Sequence, residues 1–71
     1  MELSIRIKVG RKIKEIRNTR RFTQEKLAEL ANIDYKYLQR IEGKNPPAIR
    51  VDTIGKLAKA LQINPAELLD F

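Results

Sequence analysis

The 71 residues suffice for one small core, so a single domain spanning 1–71 is expected and a separate substrate-binding unit is not. With no cysteine, histidine or tryptophan, a disulfide framework cannot form and a zinc site would need carboxylates alone, so neither metal nor other cofactor is implied. The formal charge of +6 points to a polyanionic partner, while the lack of any apolar run near the ~20 residues of a membrane span, or of a secretory leader, makes a cytoplasmic location the expectation.

The first helix is read from Ile5, Val9, Ile13 and Ile16, which share one stripe behind Ser4 as N-cap and run to about Asn18–Arg20. Leu3, Ile5, Ile7 and Val9 also alternate with polar residues, which suits an extended arm pairing with a second copy, and Gly10 weakens both readings. Most of the excess charge lies here: Arg6, Lys8, Arg11, Lys12, Lys14, Arg17, Arg20 and Arg21 face only Glu2 and Glu15, whereas from Phe22 onward the charges balance. A solubilising helix face would look the same, so charge alone assigns no function.

Thr23 caps a second helix carrying Leu27, Leu30 and Ala31 at helical spacing as far as Asn32. Asn tolerates the left-handed backbone of a tight turn, and Asp34 then caps a third helix over about 34–42. Leu38 and Ile41 give that helix an inward face, and Tyr35, Lys36, Gln39 and Arg40 fall largely on the other side. Gly43 is a natural stop, and Pro46-Pro47 prevent immediate resumption of helix. Ile54, Leu57, Ala58 and Leu61 mark a fourth helix over about 51–62. Asn64-Pro65-Ala66-Glu67 then opens a short fifth one, with a cap, a proline in the first turn and a Glu able to reach back. The expected fold class is all-α, a compact bundle of five helices.

Phe22-Thr23-Gln24-Glu25-Lys26-Leu27-Ala28-Glu29-Leu30-Ala31-Asn32-Ile33-Asp34, continued by Tyr37-Leu38-Gln39-Arg40-Ile41-Glu42-Gly43, resembles the helix-turn-helix of the phage repressor and Cro family, also called the XRE family. Arg11 to Arg17 resembles that family's first helix, and Asp52-Thr53-Ile54 with Leu57-Ala58-Lys59-Ala60-Leu61 its fourth, so the likeness covers nearly the whole chain. The resemblance implies a lambda-repressor-like DNA-binding domain, with the helix-turn-helix at about 24–43, that regulates transcription through sequence-specific binding of double-stranded DNA. Ala28 suits the motif because two helices cross closely there, while Leu27, Ile33, Leu38 and Ile41 close the wedge between them.

By the same resemblance, Tyr35, Lys36, Gln39 and Arg40 read bases. Their chemistry is suitable, because Lys and Arg donate to guanine and Gln pairs with adenine in the major groove. Thr23, Gln24, Lys44 and Asn45 are implied as phosphate contacts, as is Tyr37, for which partial core packing is an equal alternative. Arg17 and Glu42 match a family salt bridge between the first and third helices, whose guanidinium could also face a phosphate; the plainer alternative is an exposed pair worth ~0–1 kcal/mol.

A homodimer on a near-palindromic site is expected, because the family binds half-sites about 34 Å apart. Leu68, Leu69 and Phe71, with Ile63 nearby, form an apolar cluster at the C-terminal end that exceeds what a solvated terminus should carry. They are candidate dimer contacts, part of which must be core. A protein-interaction module on the same fold, antitoxin-like or coactivator-like, is the competing reading. An enzyme is not expected, since no acid, base and nucleophile set can be assembled, and no small-molecule ligand is evident.

Overall fold

A computed structural model describes residues 4–71. Among them lie four α-helices, α1 (Ile5–Thr19), α2 (Gln24–Ala31), α3 (Tyr35–Ile41) and α4 (Val51–Leu61), followed by a 3-10 helix, Pro65–Leu69. The expected fifth α-helix is therefore a 3-10 turn, because a five-residue segment opened by Pro65 closes few i to i+4 bonds. The alternating stretch from Ile5 to Val9 is helical, while Leu3, which began that pattern, lies outside the described residues.

The N-caps follow the small polar side chains. Ser4 accepts from the Ile7 N–H, Thr23 from Lys26, Asp34 from Lys36 and Asn64 from Ala66, which satisfies one otherwise unpaired donor at each helix start. α4 starts at Arg50 without a side-chain cap.

Three helices end in the same way, and none on a glycine. Arg21, Asn32 and Gln62 each adopt a left-handed backbone, with φ of 60°, 56° and 59°. The amide after each bonds back to the fifth carbonyl before it: Phe22 to Arg17, Ile33 to Ala28, and Ile63 to Ala58. This is the Schellman closure, and the apolar residue that completes it folds inward each time; Phe22, Ile33 and Ile63 all pack against the core. α3 does stop just before Gly43, as expected, but with the right-handed Glu42 as its cap and no positive φ at the glycine.

The core takes Val9 and Ile13 from α1, Leu27, Ala28 and Ala31 from α2, Leu38 and Ile41 from α3, Leu57, Ala58 and Leu61 from α4, and Leu68 from the 3-10 helix. Each fully buried aliphatic contributes ~1.5–3 kcal/mol relative to exposure. Leu30, expected inward, is 46% exposed. Burial of Ala28 rotates the packed face of α2 toward positions 27, 28 and 31, about 100° away from position 30. Ile5 and Val51 are also exposed, one turn beyond the core at the starts of α1 and α4.

Gly10 shows how α1 meets α3. A Cβ at this position would collide with the Ile41 carbonyl oxygen and stand 3.2 Å from the Ile41 carbonyl carbon, so the two backbones cross in contact at the end of α3. The sequence presented Gly10 as a weakness in a helix; its place in the fold is a crossing point that admits no side chain.

Candidate nucleic-acid interface

α3 is only seven residues long, and its two faces are sharply different. Leu38 and Ile41 are wholly buried, whereas Tyr35, Lys36, Gln39 and Arg40 are all exposed. At 100° per residue these four span an arc of about 140°, a continuous strip carrying one phenol, one amide and two cations. Tyr37 lies off that strip, half-buried against the core.

At the other end of the motif, Thr23 and Gln24 open α2. Thr23 is exposed; its hydroxyl oxygen accepts from the Lys26 N–H, which leaves its own O–H able to donate. Gln24 is half-buried and donates through Nε2 to Glu42 Oε1 at 3.1 Å, with a second amide hydrogen beyond that bond. Lys44 and Asn45 are exposed in the loop after α3; with the buried Pro46 they line one side of a cleft whose other side is Ser4 to Ile7 at the start of α1.

Glu42 joins these parts. Arg17 grips it bidentately, Nε to Oε2 at 2.9 Å and Nη2 to Oε1 at 3.0 Å, while Arg17 Nη1 donates to the Phe22 carbonyl at 2.7 Å. The two side chains are 9% and 1% exposed, so this is a buried, fully hydrogen-bonded pair rather than a surface one. The guanidinium is turned inward onto the carboxylate and the turn, where it positions α1, α2 and the end of α3 relative to each other. The family resemblance implied the pairing of Arg17 with Glu42 but not that Gln24 shares the carboxylate, a contact that spans 18 positions with no periodic signal.

The C-terminal apolar cluster divides. Leu68 is wholly buried and belongs to the core, so it cannot serve as a contact between copies as expected. Leu69 and Phe71 are about half exposed, and the Phe71 ring lies 5.4 Å from Lys8 Nζ in a cation–π arrangement. Leu69 also lines an apolar groove of about 530 Å³ with Ile5, Val51 and Ile54. Among the described residues no group of acidic side chains is arranged to hold a metal ion, and no helix is long and apolar enough to cross a membrane.

Two helices joined by a tight left-handed turn, the second exposing a polar strip and both braced by a first helix, define a helix-turn-helix DNA-binding fold. A family model for the Cro/C1-type HTH DNA-binding domain matches residues 12–71, and the chain belongs to that family. It is 36% identical, over 72 aligned positions, to the control protein C.BamHI of Bacillus amyloliquefaciens, covering 100% of this chain and 88% of the relative. Its fold is similar to that of the restriction-modification controller protein C.AhdI from Aeromonas hydrophila, with TM-score 0.84, 35% identity, and 89% and 94% of the two chains covered. It is likewise similar to C.Esp1396I bound to a 25 base pair operator site, with TM-score 0.83, 30% identity, and 94% and 87% covered.

Proposed function

We propose that residues 1–71 act as one sequence-specific DNA-binding domain and that the protein is a transcriptional regulator of the controller class to which its relatives belong, placing α3 in the major groove of an operator. The observation that carries this reading is the strip of Tyr35, Lys36, Gln39 and Arg40, exposed together on a helix whose other face is wholly buried. Such a helix can enter a groove about 12 Å wide while its inner face holds it on the domain. Thr23 and Gln24 at one end of the motif, and Lys44 and Asn45 at the other, supply donors for the phosphates on either side; Tyr37 is a weaker candidate, because it is half-buried. Arg17 supports the site from behind rather than touching DNA. The protein pairs with a second copy through the apolar groove of Ile5, Val51, Ile54 and Leu69, an exposed surface away from α3.

Selection from a random DNA pool supplies the operator, and a salt titration of affinity on operator and scrambled DNA tests the roles. Lys36→Ala or Gln39→Ala should lose ~1–3 kcal/mol on the operator and less on scrambled DNA, with relaxed preference at one base pair. Lys44→Ala should weaken both DNAs alike and flatten the slope of log affinity against log salt by about one unit. Equal losses on both DNAs for the α3 variants would remove α3 as the reader. Wild-type protein with no salt-dependent DNA binding would favour the protein-interaction reading.

A further inference from the structure

The edge of α1 that faces the end of α3 carries cations that the helix-turn-helix reading leaves without a role. Gly10 and Arg17 fix that edge: the first abuts the Ile41 carbonyl and the second bonds Glu42, so positions 10 and 17, two turns apart, both face the junction where α3 becomes the 43–46 loop. Lys14 stands between them, one turn after Gly10 and three residues before Arg17, and is exposed. Arg6, one turn before Gly10 and also exposed, lines the cleft whose other wall is Lys44, Asn45 and Pro46.

Their electrostatic surroundings are one-sided. Neither Arg6 nor Lys14 has a carboxylate partner among the described residues. Glu42, the acid at this junction, is closed off: both its oxygens accept from Arg17 or Gln24, and its side chain is 1% exposed. Among the described residues, Lys44 and Arg6 on one cleft and Lys14 two turns further along α1 therefore lie beside the end of α3 with no carboxylate paired to them. Charges needed only for solubility gain nothing from being gathered beside a loop that already carries a lysine, and mutual repulsion makes such gathering unfavourable without an anion.

We infer that Arg6 and Lys14 form a second phosphate grip, continuous with Lys44, which holds the DNA backbone just beyond the bases that α3 reads. This rests on the DNA-binding reading above and extends its footprint onto α1. The grip follows the strand and carries no base preference, so it strengthens operator and non-operator DNA alike and makes affinity depend on duplex length outside the recognised bases.

The test is fluorescence anisotropy across a salt series, on the selected operator in a long duplex and in one trimmed to the recognised bases. The proteins are the wild type, the double variant Arg6→Gln with Lys14→Gln, and Lys56→Gln as a control. Lys56 is exposed and lines a cleft with Leu30 and Asn32 that shares no residue with the cleft of Arg6 and Lys44. Gln keeps a good helix propensity, and circular dichroism melting verifies that each variant is folded. Because Arg6 also borders the apolar groove proposed for self-pairing, sedimentation equilibrium verifies that the double variant assembles as the wild type does before affinities are compared. On the long duplex the double variant should flatten the salt slope by about two units and lose roughly tenfold in affinity at moderate salt. On the trimmed duplex it should match the wild type, and Lys56→Gln should match the wild type on both. A double variant with the wild-type or control slope on the long duplex overturns the inference while leaving the α3 reading intact. Loss that is equal on both duplexes overturns it too, because the contacts would then lie inside the recognised site. Failure of the wild type to bind any DNA overturns both readings.

Discussion

Gly10→Ala sets two effects of opposite sign against each other. In a helix interior with free space, Ala is more favourable than Gly by ~1 kcal/mol. At Gly10 the added methyl meets the Ile41 carbonyl group, and backbone cannot swing aside as a long side chain can, so α1 must move off the end of α3. Overpacking of this kind costs ~1–3 kcal/mol, and because the collision is with main chain the upper half of that range applies. The net expectation is a loss of about 1–2 kcal/mol, which in a domain of this size lowers Tm by roughly 5–15 °C. The matched control is Gly55→Ala in α4, where an added Cβ meets nothing within 4 Å, and here the propensity gain should appear undiminished as about 0.5–1 kcal/mol of stabilisation. Thermal and urea unfolding, followed by circular dichroism, measures both; because Gly55 borders the proposed self-contact, low protein concentration keeps assembly out of the comparison. A Gly10→Ala protein as stable as the wild type would refute the close crossing of α1 and α3.

Gln62→Gly should raise stability by roughly 0.5–1 kcal/mol in urea unfolding, because it relieves a left-handed residue at a Schellman turn, and a loss there would contradict the φ of 59°. Glu42→Ala should cost ~3–5 kcal/mol by leaving the buried Arg17 guanidinium without its carboxylate, and a loss under 1 kcal/mol would mean the pair is solvated. In sedimentation equilibrium at micromolar concentrations the wild type should be dimeric and Val51→Glu monomeric; Val51 is 85% exposed, so the substitution spares the monomer's core, and a wild type that stays monomeric on operator DNA would dismiss the self-contact.

Much of the fold was legible because its signals are local. Ser4, Thr23, Asp34 and Asn64 each announce a cap through a short side chain that reaches an amide two or three residues on, and all four do so in the structure. Asn32 is legible as a left-handed turn because its residue type favours that backbone. Arg21 and Gln62 are not, since their side chains carry no such preference; the sign to read was the apolar residue after each, Phe22 and Ile63, following the end of an amphipathic stripe. Periodicity separated the faces of α3 but could not sort Leu68 from Leu69, because a 3-10 turn of five residues has no repeat to read. Gly10 carried a sign, an isolated glycine inside a helical pattern, whose packing reason lay 31 positions away at Ile41.

These long-range features bear on how so short a helix holds a reading position. Seven residues are too few for a helix to persist alone in water, so the placement of α3 comes entirely from its neighbours. Three contacts supply it: Leu38 and Ile41 seat its inner face in the core, the Gly10 crossing fixes its end against α1, and Glu42 just beyond that end is clamped by Arg17 from α1 and Gln24 from α2. The last two contacts meet at adjacent residues, Ile41 and Glu42, so a shift of α1 alters the crossing and the clamp together. Gln24 is in turn a proposed phosphate contact, which makes the same carboxylate a hold on both ends of the motif. Stability and DNA affinity are therefore coupled at this junction: the substitutions that loosen it should weaken operator binding beyond what their unfolded fraction explains, although none of the altered atoms reaches a base.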